Sequence, residues 1–331
     1  MNSGQAVEPG APMTELDRWP DRLVMRAIVL FQTRVGIYGI RLAGGDLVTW
    51  ILLAPLIRRT LVERVSAPAL SVNAIAASAA IPYETARRHL ALLIEAGLCE
   101  RSVGGIRLTG SFADDPRYRT FERHLADELA AFLGTMRAMD VPLPAGGEQG
   151  NDRLAFATAA MDLALVAMEF WHAAYRHPLE MLTFAAVSIE NCYPFTADRA
   201  ACRRYGEWET PPPEAIKRPV SAAALAAKLD LPYATVWRSV RRLRDAGLLT
   251  LTKAGLVSQN RTTDQALGDG RNRMIAYFRS RLTRLAREGT DLEAIARASL
   301  VARDMLGRDL HGDPYIALPD GAAAIPAIQI G

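Results

Sequence analysis

The feature that most constrains this chain is an internal repeat: Ser71 to Leu98 realigns without a gap on Ser221 to Leu248, 150 residues further on. The positions kept are Ser71/Ser221, Ala74/Ala224, Ala76/Ala226, Ala77/Ala227, Pro82/Pro232, Tyr83/Tyr233, Thr85/Thr235, Arg88/Arg238, Leu93/Leu243, Ala96/Ala246, Gly97/Gly247 and Leu98/Leu248. A self-match of this length means that one folding unit is used twice, and that bounds the architecture before any motif is interpreted.

Within the first copy, the spacing predicts a short helix over Val72 to Ser78 with Ile75 inward, a turn at Ala79 to Ile81, and a longer helix opened by Pro82 at its first position. Proline is tolerated there because that N–H has no intrahelical partner. Ala86, Leu90 and Leu93 recur at i, i+4 and i+7 and form one buried face, matched by Val236, Val240 and Leu243. Gly97 and Gly247 end these helices by accepting the left-handed conformation, with Leu98 or Leu248 as the hydrophobic stop. Two short strands around a glycine turn follow in each copy, Leu98 to Arg101 with Ile106 to Thr109, and Leu248 to Thr252 with Leu256 to Ser258.

Helix, turn, helix and hairpin in that order resemble the winged helix-turn-helix domain of bacterial regulators of the IclR and MarR type, over about 40 residues in each half. The resemblance identifies a domain class: no IclR ligand domain is matched, and MarR proteins carry one such domain per chain. It implies that the longer helix of each copy reads the DNA major groove.

The surrounding sequence fits two modules. Residues 1–20, rich in Gly and Pro, read as a flexible leader; 21–140 form a first module containing the winged helix 70–110; 141–151 form a linker; 152–308 form a second module containing the winged helix 219–259; 309–331 form a tail. Upstream, Asp21-Arg22-Leu23 recurs as Asp152-Arg153-Leu154, and Asp46 to Trp50 resembles Glu180 to Phe184, at offsets of 131 and 134. Each module is expected to be a pair of apolar helices, the winged helix, and a trailing helix at Arg117 to Met139 or Arg271 to Glu288. The expected fold class is therefore mainly α with small β-hairpin wings.

With 331 residues, half of them apolar, the chain has material for about two cores. Its three cysteines, Cys99, Cys192 and Cys202, form no disulfide framework and point to a reducing, cytoplasmic setting. The N-terminus lacks the basic start and apolar run of a secretory signal, and the apolar stretch Leu47 to Ile57, interrupted by Pro55, is too short for a membrane span.

The face opposite the buried one carries Tyr83, Glu84, Arg87, Arg88 and Ala91 in the first copy and Tyr233, Ala234, Trp237, Arg238 and Arg241 in the second. Arg87, Arg88, Arg238 and Arg241 are candidates for base or phosphate contact, since arginine to guanine is the commonest specific contact in the major groove. Tyr83, Tyr233, Thr85 and Thr235 sit at the helix starts, where they can donate to phosphate, and Arg101, Arg107 and Lys253 flank the wings. Between Lys217 and Asp245, seven basic residues face two acidic ones, whereas Ser71 to Arg101 is balanced, so the second head is expected to dominate binding.

The arginines of 271–287 read as a solvated helix surface around the stripe Met274, Phe278, Leu282 and Leu285. Glu169, His172, His177, Cys192 and Cys202 lack the spacing of a zinc site, and Phe170, Trp171, Tyr175 and Phe184 read as core before ligand pocket. There is no Walker loop, HExxH or GxSxG, so neither an enzyme nor a cofactor is expected. The function expected is a cytoplasmic transcriptional regulator. Its partner is double-stranded DNA, its heads lie about 34 Å apart if arranged as in a dimer, and the apolar N-terminal helices are available for homodimerisation. A replication-initiator-like protein and a winged-helix scaffold for other proteins are the alternatives.

Overall fold

A computed structural model describes residues 19–63, 68–146, 152–171, 175, 177–196, 198–260 and 265–302; most of the expected leader and the whole of the tail lie outside the described residues. The first half runs α1 (Asp21–Leu42), α2 (Leu47–Glu63), α3 (Val72–Ser78), α4 (Tyr83–Glu95), β1 (Cys99–Ser102), β2 (Gly105–Leu108), α5 (Gly110–Ala113) and α6 (Pro116–Ala138). The second runs α7 (Arg153–Trp171), α8 (Pro178–Thr196), α9 (Arg199–Arg204), α10 (Ala222–Leu229), α11 (Tyr233–Asp245), β3 (Leu249–Thr252), β4 (Gly255–Ser258), α12 (Gln265–Arg287) and α13 (Leu292–Ala302). The chain is mainly helical with two small antiparallel hairpins, and each predicted strand lies within a residue or so of its expected place.

The conserved residues of the repeat are those that make its backbone turns. Ser71 and Ser221 cap α3 and α10, each accepting the N–H three residues on at 3.1 Å. Gly97 and Gly247 adopt φ of 72° and 70°, and the N–H of Leu98 or Leu248 returns to the carbonyl of Leu93 or Leu243, closing a Schellman stop. At Gly105 and Gly255 a side chain would strike the backbone of Leu70 or Val220, because those residues add a bridge to the hairpin. Pro82 and Pro232 stand one residue earlier than expected, as N-caps with extended ψ, and the helices begin at Tyr83 and Tyr233. Burial repeats with the sequence: all but five of the 28 aligned positions share the same burial class.

Around these units the long helices exchange partners. α1 packs on α6 of its own half and α7 on α12; across the halves, α1 packs on α8 and α12, and α7 reciprocates on α2 and α6. Such mutual exchange of equivalent elements has the form of an isologous interface, here formed within one chain. Phe31 of α1, Phe132 of α6 and Phe278 of α12 meet with ring centroids 5.4 to 6.0 Å apart, so the two halves share one apolar core. α13 lies along α6.

The pairing of Asp46–Trp50 with Glu180–Phe184 places Thr49 on Thr183, both fully buried, although α8 begins one turn earlier than α2. Pro55 lies inside α2 rather than ending it. Among the described residues, the helix long and apolar enough to cross a membrane is α1, not the stretch at Leu47; 72% of its most apolar window is buried inside the fold. α1 and α2 are thus covered in large part by the other half of the same chain.

Candidate nucleic-acid interface

α4 and α11 each bury one face and present the other. The buried face holds Ala86, Leu90 and Leu93, or Val236, Val240 and Leu243, as the spacing predicts, and it also buries His89 and Ser239. These two polar residues, the same position in each copy, join the helix to the first turns of α2 and α8. His89 Nδ1 lies 3.2 Å from the Thr49 hydroxyl and 3.3 Å from Asp46, the residue that caps α2. The Ser239 hydroxyl donates to the Leu179 carbonyl at 3.3 Å, shared with the Thr183 hydroxyl, and Arg242 donates to Glu180 at 2.6 Å.

Electrostatics at these joints follow from their burial. At Asp46, burial opposes the charge, but hydrogen bonds from His89 and Thr49 outweigh it and hold the carboxyl down to about 2. His177 accepts the Leu179 N–H through Nδ1 at 3.1 Å and so caps α8; burial, and next the Arg242 cation, push its pKa below the ordinary value. The sequence contained a signal for this attachment, an acidic residue at 46 and 180 with threonine three residues on. What it did not show was that the residues facing them were His89, Ser239 and Arg242.

On the outward face, Tyr83 and Tyr233 are 46% and 52% exposed at the helix starts, Thr85 and Thr235 are half-buried, and Arg87, Arg88, Arg238 and Arg241 are exposed. Arg88 and Arg238 occupy the same place in the two copies. Among the described residues Arg238 bonds within its own helix, to the Ala234 carbonyl and the Thr235 hydroxyl, at 3.2 and 3.3 Å. Arg87 is held by Glu84 at 2.9 Å. Trp237 is half-buried and stacks on Tyr233 with ring centroids 6.2 Å apart and planes at 8°. Lys253 is exposed at the tip of the second hairpin, and Arg101 is exposed on the first; Arg107 pairs with Glu100 at 2.7 Å.

No family model, no curated protein and no solved structure matches this chain.

Part of the basic run of the second copy is engaged by partners within the fold. Arg218 and Lys228 converge on buried Glu190 at 2.5 and 2.8 Å, Lys217 donates to the Ser258 carbonyl at 2.6 Å, and Arg242 and Arg244 are tied to Glu180 and Asp245. Outward and without a carboxylate partner among the described residues are Arg238, Arg241 and Lys253 in the second copy, against Arg88 and Arg101 in the first, where Glu95 is exposed as well, so the second copy keeps the larger positive charge.

The arginines of α12 are not simply a solvated face. Arg271 is buried and stacks 4.4 Å from the Trp208 ring, and Arg281 pairs with Asp162 at 3.2 Å. Met274, Phe278, Leu282 and Leu285 form the expected stripe and are fully buried. Of the residues weighed as metal ligands, His177 is a helix cap and Cys202 is buried, while His172 and the side chains of Glu169, Phe170 and Trp171 lie outside the described residues.

Proposed function

We propose that this protein is a sequence-specific regulator of transcription that binds double-stranded DNA through two winged helix-turn-helix heads, α4 and α11 being the reading helices. The observation that carries the reading is the repetition of Arg88 at Arg238: an arginine on the outward face of two equivalently buried helices, each followed by a glycine stop and a hairpin. Arginine presented on a helix to the major groove is matched to guanine O6 and N7. The resemblance of both units to IclR- and MarR-type domains supports the same reading.

In this mechanism one chain does what a dimer of single-headed regulators does. The reciprocal packing of α1 with α8 and of α7 with α2 is the exchange that a two-fold pair of single-headed chains would make. Because the outward residues differ, Glu84 and Arg87 against Ala234 and Trp237, the preferred site is an imperfect repeat rather than a palindrome. Both heads contribute charge, so both contact the duplex.

Selection of duplexes from a random pool, followed by titration of the enriched site at several salt concentrations, tests the reading. Expected are one chain per site and a steep negative dependence of log K on log salt. Arg238→Ala, or Arg88→Ala, is expected to cost about 1–3 kcal/mol and to relax sequence preference at one position, whereas Lys253→Ala weakens all duplexes and lowers the salt slope by about one. A pool that yields no enriched sequence, with no salt-dependent binding, overturns the proposal in favour of a protein-binding scaffold.

A further inference from the structure

Between α1, α2, α7 and α8 lies a cavity of about 580 Å³, within the range of small-molecule sites and lined chiefly by apolar side chains. It follows α1 from Arg22 to Gly36, about 21 Å at the helical rise, so it is a channel suited to an elongated ligand. Its charge is one-sided. Arg22, Arg26 and Lys217 line one end, gathered around Cys192, whereas Asp162 is the one carboxylate among the described lining residues and is already held by Arg58 and Arg281. Lys217 is 6% exposed and spends one N–H on the Ser258 carbonyl, leaving two of its three without a hydrogen bond among the described residues.

We propose that this channel binds an organic anion with an unbranched apolar chain, the anionic head seated at Arg22, Arg26 and Lys217, and that its occupancy regulates the two reading helices. An apolar channel with a desolvated cationic end is complementary to an aliphatic carboxylate and to neither a cation nor a neutral polar metabolite. The regulatory half rests on the DNA-binding reading; the ligand half does not. Leu47 and Trp50 in the first turn of α2, and Pro178 and Met181 in the first turn of α8, line the channel. Those turns hold His89 of α4 and Ser239 and Arg242 of α11, so a chain inserted between them shifts the supports of both heads together.

The test is titration of the full chain with octanoate, decanoate and dodecanoate below their micellar concentrations, read by tryptophan fluorescence, since Trp50 and Trp208 line the channel, and by calorimetry. Expected is saturable binding of one ligand per chain, tightening roughly fourfold per added methylene. Lys217→Gln, whose amide keeps a donor for Ser258, is expected to weaken decanoate about tenfold and to leave decan-1-ol unchanged. Ala185→Trp, or Ser188→Phe if the first does not fold, fills the channel and abolishes both. Absence of saturable binding for all three acids, equal loss of acid and alcohol in Lys217→Gln, or binding that survives a folded channel-filling variant overturns the site. If decanoate binds as expected but leaves affinity for the selected duplex unchanged, the regulatory half is overturned and the ligand site stands; if no duplex binds at all, the DNA reading has failed and the ligand titration is still decisive for the site.

Discussion

Asp46 and His177 show how single side chains hold the outward-facing helices in place. Asp46 has a folded-state pKa of about 2, below the ordinary carboxylate value, so its contribution is complete above about pH 4 and is lost as pH falls toward 2. The expected outcome is that Asp46→Asn costs roughly 1–2 kcal/mol at pH 7, with the gap from wild type narrowed by about two thirds at pH 2.5, measured by urea unfolding at both values. His177 is also depressed, by burial first and by Arg242 next, so its neutral form is favoured by folding; stability is full above about pH 6.5 and falls as pH drops below it. His177→Ser keeps a capping acceptor without a titrating ring, so the wild-type melting temperature is expected to fall relative to the variant's between pH 7 and pH 5. The sequence marked Asp46 through its match with Glu180 but not its partner His89, and it carried no sign that His177 caps α8.

At the scale of elements, periodicity was the reliable guide. The faces of α4 and α11, both hairpins and the trailing helices all follow from spacing and glycine placement, with boundaries moved by a residue or a turn. Polar contacts between elements followed no such pattern. Arg34 of α1 meets Glu128 of α6 in a bidentate pair, both bonds 2.7 Å and both side chains almost wholly buried, with the Tyr38 hydroxyl also donating to Glu128. Removing one partner strands a buried charge. Glu128→Ala is expected to cost about 3–5 kcal/mol, and the double replacement Arg34→Met with Glu128→Leu to recover most of it, measured by denaturant unfolding.

For the whole molecule, the decisive fact is that the two copies are interlocked. The expected division into modules 21–140 and 152–308 follows the repeat, yet α1 and α7 each bury their apolar faces against the other copy. Phe278 of the second copy is fully buried against Phe31 and Phe132 of the first. Phe278→Ala is accordingly expected to destabilise both halves together, by about 3–5 kcal/mol, in a single calorimetric transition; two separated transitions in the wild type would show independent modules instead.

The sequence by itself determined the local architecture: the duplication, the helices and hairpins, and the residues turned outward on α4 and α11. These depend on short-range periodicity and on backbone conformations that a few residue types accept, and both are written along the chain. Only the tertiary structure decided which charges remain outward, because Glu180, Glu190 and Ser258, which neutralise or engage the basic run of the second copy, arrive from distant segments. It also decided that the apolar N-terminal helices serve the chain's own second half, since an apolar stripe specifies that it must be covered and not by what.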